Sequence, residues 1–454
     1  MYQRLPYRAI PGSLAACRPV SLRGQVSGVS SLAVEVTGLD RHLAVGDRLT
    51  LHARDGANVP AEIVAIRGGR IQVATFGATL GIGAGATACA AAGAGSGRLR
   101  GSISPSDAWL GRIIDPLGRP VDGGPALAPG AIPRPVRAAP PQATARARLG
   151  PPIDLGVRVL NCFATCRTGQ RLGLFSGSGV GKSTLLAMLA RYTACDVTIL
   201  ALVGERGREV REFIEDDLGE EGLGRAVVVV ATSDAPPLLR REAAYAAMTI
   251  AEHFRDAGKS VLLLMDSVTR FCLALRELGL AAGEPPATRG FPPSVFAELP
   301  RLLERAGPGL QQSNGPQGHI TALFTVLVEG GDHDEPVADA VRGILDGHVV
   351  LDRRIAEAGR YPAVDILRTL SRAAAAILTP DQSALIKQAR AHMALYADMA
   401  DMVRLGAYKP GSDPAVDEAI RVAARLDTML TQTVADCSSL DESFFQLAQA
   451  LGND

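Results

Sequence analysis

The chain has 454 residues, 47% hydrophobic and 21% charged, a length that suggests about three domains with full cores. Its 47 basic residues are matched by 47 acidic ones and aromatics make up 4%, which argues against a large nucleic-acid footprint and against base-stacking platforms. Seven scattered cysteines form no CxxC pair, so reduced thiols are expected and a cysteine metal site is not.

The N-terminal Met1-Tyr2-Gln3-Arg4-Leu5-Pro6-Tyr7 carries no apolar signal core, and a cytoplasmic location is expected. Residues 20–95 read as β structure. Leu49, Leu51 and Ala53 alternate with Thr50 and His52, and Ile71, Val73 and Thr75 repeat the period after Gly68-Gly69. Short strands with Gly-Asp and Gly-Gly breaks predict a small barrel. Residues 71–97 carry no charge, but they are mostly Gly, Ala and Thr, so they read as strand and glycine-rich loop rather than a spanning helix. Between Pro125 and Pro152 there are eight prolines, a composition that makes neither helix nor central strand and predicts a connector.

Residues 153–375 alternate strand and helix. The runs Val197–Val203, Ala226–Ala231, 261–265 and 320–328 are short, unbroken and rich in Val, Ile and Leu, as buried parallel strands are. A helix over 238–257 lies among them. A doubly wound parallel sheet follows, with its ligand at the carboxyl ends of the strands. Beyond Pro380 the chain reads as helical. Asp413-Pro414 is a cap with Pro at the first helical position, and residues 417–435 carry Ile420, Val422, Ala423, Leu426, Met429 and Leu430 as one face.

The chemistry concentrates in Gly173-Leu174-Phe175-Ser176-Gly177-Ser178-Gly179-Val180-Gly181-Lys182-Ser183-Thr184, an apolar strand, a glycine-rich turn and the start of a helix over 184–192. Backbone N–H groups from Gly177 to Thr184 can curl around a polyanion, and the helix N-terminus adds positive potential. Lys182 suits the β- and γ-phosphates of a nucleotide, and the Ser183 hydroxyl suits Mg²⁺. Ser176 stands where the strict pattern has Gly, and a small residue suffices there. Asp266 ends the apolar run 261–265, where such a carboxylate helps hold Mg²⁺ through water. Glu205 ends the strand Val197–Val203 within Gly204-Glu205-Arg206-Gly207-Arg208-Glu209. Alone that run reads as a solvated charged loop. With the phosphate loop and Asp266 present, catalysis is the stronger reading: Glu205 to polarise a water and Glu209 to touch the metal's water shell. Arg206 and Arg270 can meet phosphate charge. From the residues alone, Arg360 to Arg372 shows only a turn after a helix.

From Gly169-Gln170-Arg171 to Arg372 the sequence resembles the hexameric ATPases related to the rotary ATP synthase. It is most similar to the flagellar and type III secretion export ATPases. The resemblance is carried by Thr232-Ser233-Asp234-Ala235-Pro236-Pro237-Leu238, by Asp266-Ser267-Val268-Thr269-Arg270-Phe271 and by 287–296. It continues in Ile344-Leu345-Asp346-Gly347-His348-Val349-Val350-Leu351-Asp352-Arg353 and in Leu405-Gly406-Ala407-Tyr408. It implies an α/β fold with a RecA-like P-loop parallel-sheet core over 153–378. An N-terminal small β-barrel domain over 1–95, a connector over 96–152 and a C-terminal helical bundle over 379–454 complete the chain. It further implies a homohexameric ring that hydrolyses ATP with Mg²⁺ at sites between subunits. By position, Glu205 matches the general base, Arg206 its neighbouring phosphate ligand, Arg270 a γ-phosphate contact and Tyr361 the aromatic that stacks on adenine. Arg372 matches the finger that a neighbouring subunit inserts, and Thr369 replaces the family's usual Ser while keeping a hydroxyl.

The function so implied is an export ATPase of the flagellar type III apparatus. It engages export substrates and their chaperones, works with stator and gate proteins, and lies peripherally at the inner-membrane export gate through those partners. Four other functions compete with this one. A virulence secretion ATPase shares the same signature, and the wording of 343–353 leans flagellar. A rotary synthase catalytic subunit shares the site, but residues 272–288 and Leu238-Leu239-Arg240-Arg241 resemble the export branch. A non-catalytic nucleotide-holding subunit is expected to lack Glu205. A ring helicase needs nucleic acid, against which charge and composition speak.

Overall fold

In the computed structural model, residues 22–30, 33–90, 101–313, 315–328 and 335–452 are described. The expected signal-free N-terminus and the 91–100 segment, which joins the expected barrel domain to the connector, lie outside them.

The alternating N-terminal segments form six strands: β1 Leu22–Val29, β2 Val34–Thr37, β3 Arg48–His52, β4 Asn58–Arg67, β5 Arg70–Thr75 and β6 Thr87–Ala90. They close in the order β1-β2-β5-β4-β3-β6, with β1 also pairing β6, so the barrel leaves no free edge. Val34, Val36, Leu49, Leu51, Ile63, Ile71 and Val73 fill its interior, while His52 faces out.

The 96–152 stretch is not only a connector. Its strand β7, Arg112–Ile114, pairs in parallel with a core strand and forms one edge of the main sheet. That strand precedes the proline-rich part, which is mostly irregular apart from short pairings at Arg134–Pro135 and Pro152–Ile153 and one 3-10 turn at Ala143–Ala145. The proline-rich part is nevertheless tied down. The buried Arg305 guanidinium donates to the Val136 carbonyl at 2.7 Å, and to Glu252 at 2.7 and 2.9 Å.

The core strands are β8 Arg171–Ser176, β9 Val197–Val203, β10 Ala226–Ala231, β11 Ser260–Asp266, β12 His319–Leu327, β13 Gly347–Val350 and β14 Leu370–Ser371. Their order is β14-β13-β8-β12-β11-β9-β10-β7; β14 and a short Gly307–Pro308 strand run antiparallel and the rest parallel. The apolar runs are unbroken because both faces are covered. Ile199, Ala201 and Val203 point to one side, among residues of α2 (Pro237–Asp256), α3 (Val268–Ala281) and α4 (Pro293–Leu303). Leu200 and Leu202 point to the other, where α1 (Lys182–Tyr192) and the C-terminal helices pack. Helix α5, Pro336–Ile344, covers the β8 side of the first face.

The C-terminal helices are α6 Pro380–Arg404, α7 Pro414–Leu430 and α8 Leu440–Leu451. Asp413 caps α7, accepting from the Ala415 N–H at 2.8 Å, with Pro414 in the first turn. The helix stops at Leu430 rather than running to 435. Beyond it the buried Gln432 turns to bond the Gly156 and Asp436 carbonyls.

A buried ionic cluster joins barrel to core. Arg241 of α2 donates to Glu62 of β4 at 2.8 Å and lies 3.6 Å from Glu242, and Arg48 of β3 pairs with both carboxylates. Burial alone would lower the Arg241 pKa, but the two carboxylates outweigh it and raise the pKa. Removing Arg241 takes away the most buried cation and leaves two buried carboxylates to the partly exposed Arg48 and Arg137. Arg241→Met is therefore expected to destabilise by about 3–5 kcal/mol, read as a lower denaturation midpoint. Combining it with Glu62→Leu and Glu242→Leu should recover most of that loss, and an undiminished loss would contradict the charge argument.

Candidate nucleotide site

The site forms where β8, β9 and β11 end together, because parallel strands put their carboxyl ends on one edge. Ser176 closes β8 with ordinary strand backbone, its carbonyl accepting from the Val328 N–H at 2.9 Å, which explains why Gly is not required there. The loop then turns through Gly179 at φ +74° and Gly181 at φ +84°, left-handed conformations that favour glycine. Gly181 is the residue before α1, and the helix begins at Lys182, two residues earlier than expected. A side chain at Gly181 would also press on the Tyr361 ring, whose nearest atom would lie 3.1 Å from the added Cβ. Gly177, Ser178, Val180, Ser183 and Thr184 complete the cradle, with Val180 buried in the core beneath and Ser183 exposed in the first helical turn.

Lys182 is the centre of the charges. Its Nζ donates to Asp266 Oδ1 and Oδ2 at 2.5 and 2.6 Å and lies 3.5 Å from Glu205 Oε1. Asp266 is buried and also accepts from the Thr325 hydroxyl at 2.7 Å. Burial raises the Glu205 pKa above the ordinary glutamate range. Lys182 opposes the shift, Asp266 adds to it, and Arg270 and Glu209 act with smaller weight in opposite senses. Glu205 Oε1 is buried without a hydrogen-bond donor, and the Arg270 Nε–H is buried without an acceptor. Gly204 makes this crowding possible, since a Cβ there would lie 3.0 Å from the Arg270 side chain. The Thr232–Leu238 segment helps too: the Ser233 N–H donates to the Glu205 carbonyl at 2.9 Å.

Three other residues singled out in the sequence stand apart. Arg206 is four-fifths exposed and pairs with the half-exposed Glu209 at 3.4 Å. Arg372 lies at the opposite end of the sheet. It follows Ser371, which pairs with Gly347, and Gly347 is level with Leu172, roughly 16 Å of strand short of Gly177. The arrangement thus assembles Lys182, Glu205, Asp266, Arg270 and Tyr361 around one loop and leaves Arg372 away from it.

Sequence reasoning missed two participants. Thr325 is the second of two hydroxyls in the apolar strand β12 and the one near its carboxyl end, where the site forms. Arg353 donates to the Ser178 carbonyl at 3.1 Å and steadies the loop from a distant segment, with no local signal. Thr369 uses its hydroxyl to accept from the Val350 N–H at 3.2 Å, a structural task that either Ser or Thr performs.

Comparison with known proteins matches this geometry. The model of the ATP synthase alpha/beta family nucleotide-binding domain matches residues 156–371, and that of the T3SS EscN ATPase C-terminal domain matches 378–449. The flagellum-specific ATP synthase of Caulobacter vibrioides is 49% identical over 448 residues, covering 98% of this chain and 100% of the relative. The chain belongs to the flagellar and type III secretion branch of the ATP synthase alpha/beta family. It is a P-loop ATPase of that branch. The type 3 secretion system ATPase of Xanthomonas euvesicatoria is 44% identical, covering 92% of each chain. The structure of the assembled ATPase EscN from enteropathogenic E. coli superposes with a TM-score of 0.85 at 38% identity, covering 94% of this chain and all of that one. EscN in complex with its central stalk EscO superposes at 0.82 with the same identity. Within this branch the fold is as expected from sequence: barrel, RecA-like parallel sheet, C-terminal helices.

Among the described residues no cluster of three or more His, Cys, Asp or Glu suits a metal ion. Mg²⁺ nevertheless fits the site as a nucleotide complex. It favours hard oxygen ligands, keeps its waters and takes few protein groups. The Ser183 hydroxyl and Asp266 are such groups, while Glu209, also expected near the metal's water shell, lies half-exposed beyond them. Replacing Lys182 with Met removes the cation that meets the phosphates. Nucleotide affinity is expected to fall about 10–100-fold, the equivalent of one or two charge-assisted hydrogen bonds, in a titration with a fluorescent ATP analogue.

Proposed function

We propose that the chain is the ATP-hydrolysing ring subunit of a flagellar type III protein-export apparatus. It couples turnover to engagement and release of export substrates and their chaperones. The observation that supports hydrolysis, beyond binding, is the part-buried Glu205 carboxylate 3.5 Å from Lys182, with a buried oxygen that has no hydrogen-bond donor. Its pKa is raised by burial, as suits a group that takes a proton from an attacking water at neutral pH. Mg²⁺, when bound with ATP, offsets phosphate charge. Lys182 and Arg270 hold the phosphates, the loop N–H groups orient them, and Tyr361 stacks on the adenine. Arg206 and Glu209 face solvent, where they can meet phosphate or the metal's water shell once a neighbour closes over them.

Arg372 acts in a neighbouring subunit's site. Its place away from its own loop supports that reading, as does the assembled form of EscN. A homohexamer is the proposed ring, and the stalk-bound EscN structure supports a stalk partner for this chain as well. Stator and gate proteins would bring the ring to the inner membrane from the cytoplasm. No described helix is long and apolar enough to cross a membrane. The flagellar assignment is favoured over virulence secretion by the 49% identity to a flagellum-specific relative.

Glu205→Gln should abolish turnover while nucleotide binding persists, and full hydrolysis in that variant would refute the base assignment. Arg372→Ala should lose about 10³-fold in kcat. Mixed with inactive Glu205→Gln subunits it should regain activity, because such rings rebuild interfaces that join an intact Glu205 to an intact Arg372, which a steady-state ATPase titration reads directly. Copurification of export-gate and stator proteins would test the branch, and rotary subunits in their place would overturn it.

A further inference from the structure

We infer that Gln170 and Ser371 are positioning residues for Arg372. Through them, the strand that carries one subunit's phosphate loop also aims the arginine it offers to the next subunit's site. This rests on the in-trans reading of Arg372.

Gln170 immediately precedes β8 and is wholly buried. Its side-chain amide is fully used. Nε2 donates to Ser371 Oγ at 2.9 Å and to the Asp346 carbonyl at 3.3 Å, and Oε1 accepts from the Arg167 N–H at 2.9 Å. The Ser371 hydroxyl in turn donates to the Thr165 carbonyl at 2.8 Å. The Arg372 N–H donates to that same Asp346 carbonyl at 2.9 Å. Asp346 is itself held by Arg171, the first residue of β8. The Arg171 N–H and Nε each donate to Oδ2 at 3.1 Å, and Nη2 donates to Oδ1 at 3.2 Å. Gly347 lets β14 come this close, since a Cβ there would meet the Leu370 carbonyl.

The guanidinium end lies near helix α5, which packs on strand β8. Arg372 Nη2 lies 3.5 Å from the Arg342 carbonyl, and the Arg342 side chain stacks 5.1 Å over the ring of Phe175 in β8. Strand β14 has only two residues, too few to hold a direction unaided. Arg372 is exposed, so its aim comes from these fixed groups behind it. A packing role alone would be served as well by an apolar side chain at 170. The buried amide instead spends its hydrogen bonds on the residue before Arg372 and on the carbonyl that anchors Arg372.

Ring geometry makes this testable, because a head-to-tail interface takes Glu205 from one subunit and Arg372 from the next. Gln170→Leu and Ser371→Ala should each lower kcat about 10–100-fold, as small misplacements do, with nucleotide affinity within about twofold of wild type by the same fluorescent titration. Gln170→Leu subunits mixed with inactive Glu205→Gln subunits should then regain activity. Roughly one interface in four would join an intact Glu205 to an intact finger frame in random assembly. The control mixes Arg372→Ala with Glu205→Gln. If the control regains activity and the Gln170→Leu mixture does not, Gln170 serves its own loop and the inference falls while the in-trans reading stands. If the control also stays inactive, the in-trans reading fails and takes the inference with it. Ser371→Ala removes one oxygen and keeps the test open should Gln170→Leu not fold. Wild-type turnover in Ser371→Ala would overturn the proposal.

Discussion

The site depends on one arrangement of charge: the Lys182 ammonium held between Asp266 and Glu205 at the carboxyl ends of three strands. Lys182 follows β8, Glu205 follows β9 and Asp266 ends β11, so no two of them are local in sequence. A parallel sheet brings them to one edge, and the order of its strands places β12 between the loop strand and the Asp266 strand. Thr325 of that intervening strand then reaches Asp266 Oδ1, and the lysine bonds both carboxylate oxygens. The one ammonium bonds the Asp266 carboxylate and lies near the Glu205 carboxylate, so the charges of all three groups meet at one point.

The remainder of the chain holds that edge steady and connects it outward. The barrel is joined to α2 through Glu62, Arg241 and Glu242, and the connector is pinned by Arg305. On the other side, Gln432 beyond α7 donates its N–H to the Tyr361 carbonyl at 2.8 Å. Movement of the C-terminal helices therefore has a direct route to the ring that packs over Gly181. The two ends of β8 have separate tasks. Its carboxyl end turns into the phosphate loop, and its amino end anchors Asp346 and the strand before Arg372. One strand thus spans from the glycine-rich loop to the segment that carries Arg372.

Much of the fold was legible because its signals are local. Buried parallel strands appear as unbroken apolar runs, and Val197–Val203 and Ala226–Ala231 have the bounds expected of them. The barrel followed from period-two alternation, and the cap at Asp413-Pro414 from capping chemistry. Less legible were features set by distant partners. The edge strand Arg112–Ile114 is too short to show a period and exists because β10 offers it a ladder. Helix α7 ends at Leu430, although its apolar spacing does not announce it, because Gln432 is taken up by Gly156 and Asp436.

By itself, the sequence determined that a glycine-rich loop, a lysine and two strand-terminal carboxylates would serve a nucleotide. Those roles are written in contiguous residue types whose backbone demands are local. Only the tertiary structure decided which groups share charge and which act at a distance. It placed Thr325 and Arg353 on the site, turned Arg206 and Glu209 to solvent, and set Arg372 at the far end of the sheet behind Gln170. Those outcomes depend on strand order and register, which arise from packing across hundreds of residues and leave no trace in any single stretch.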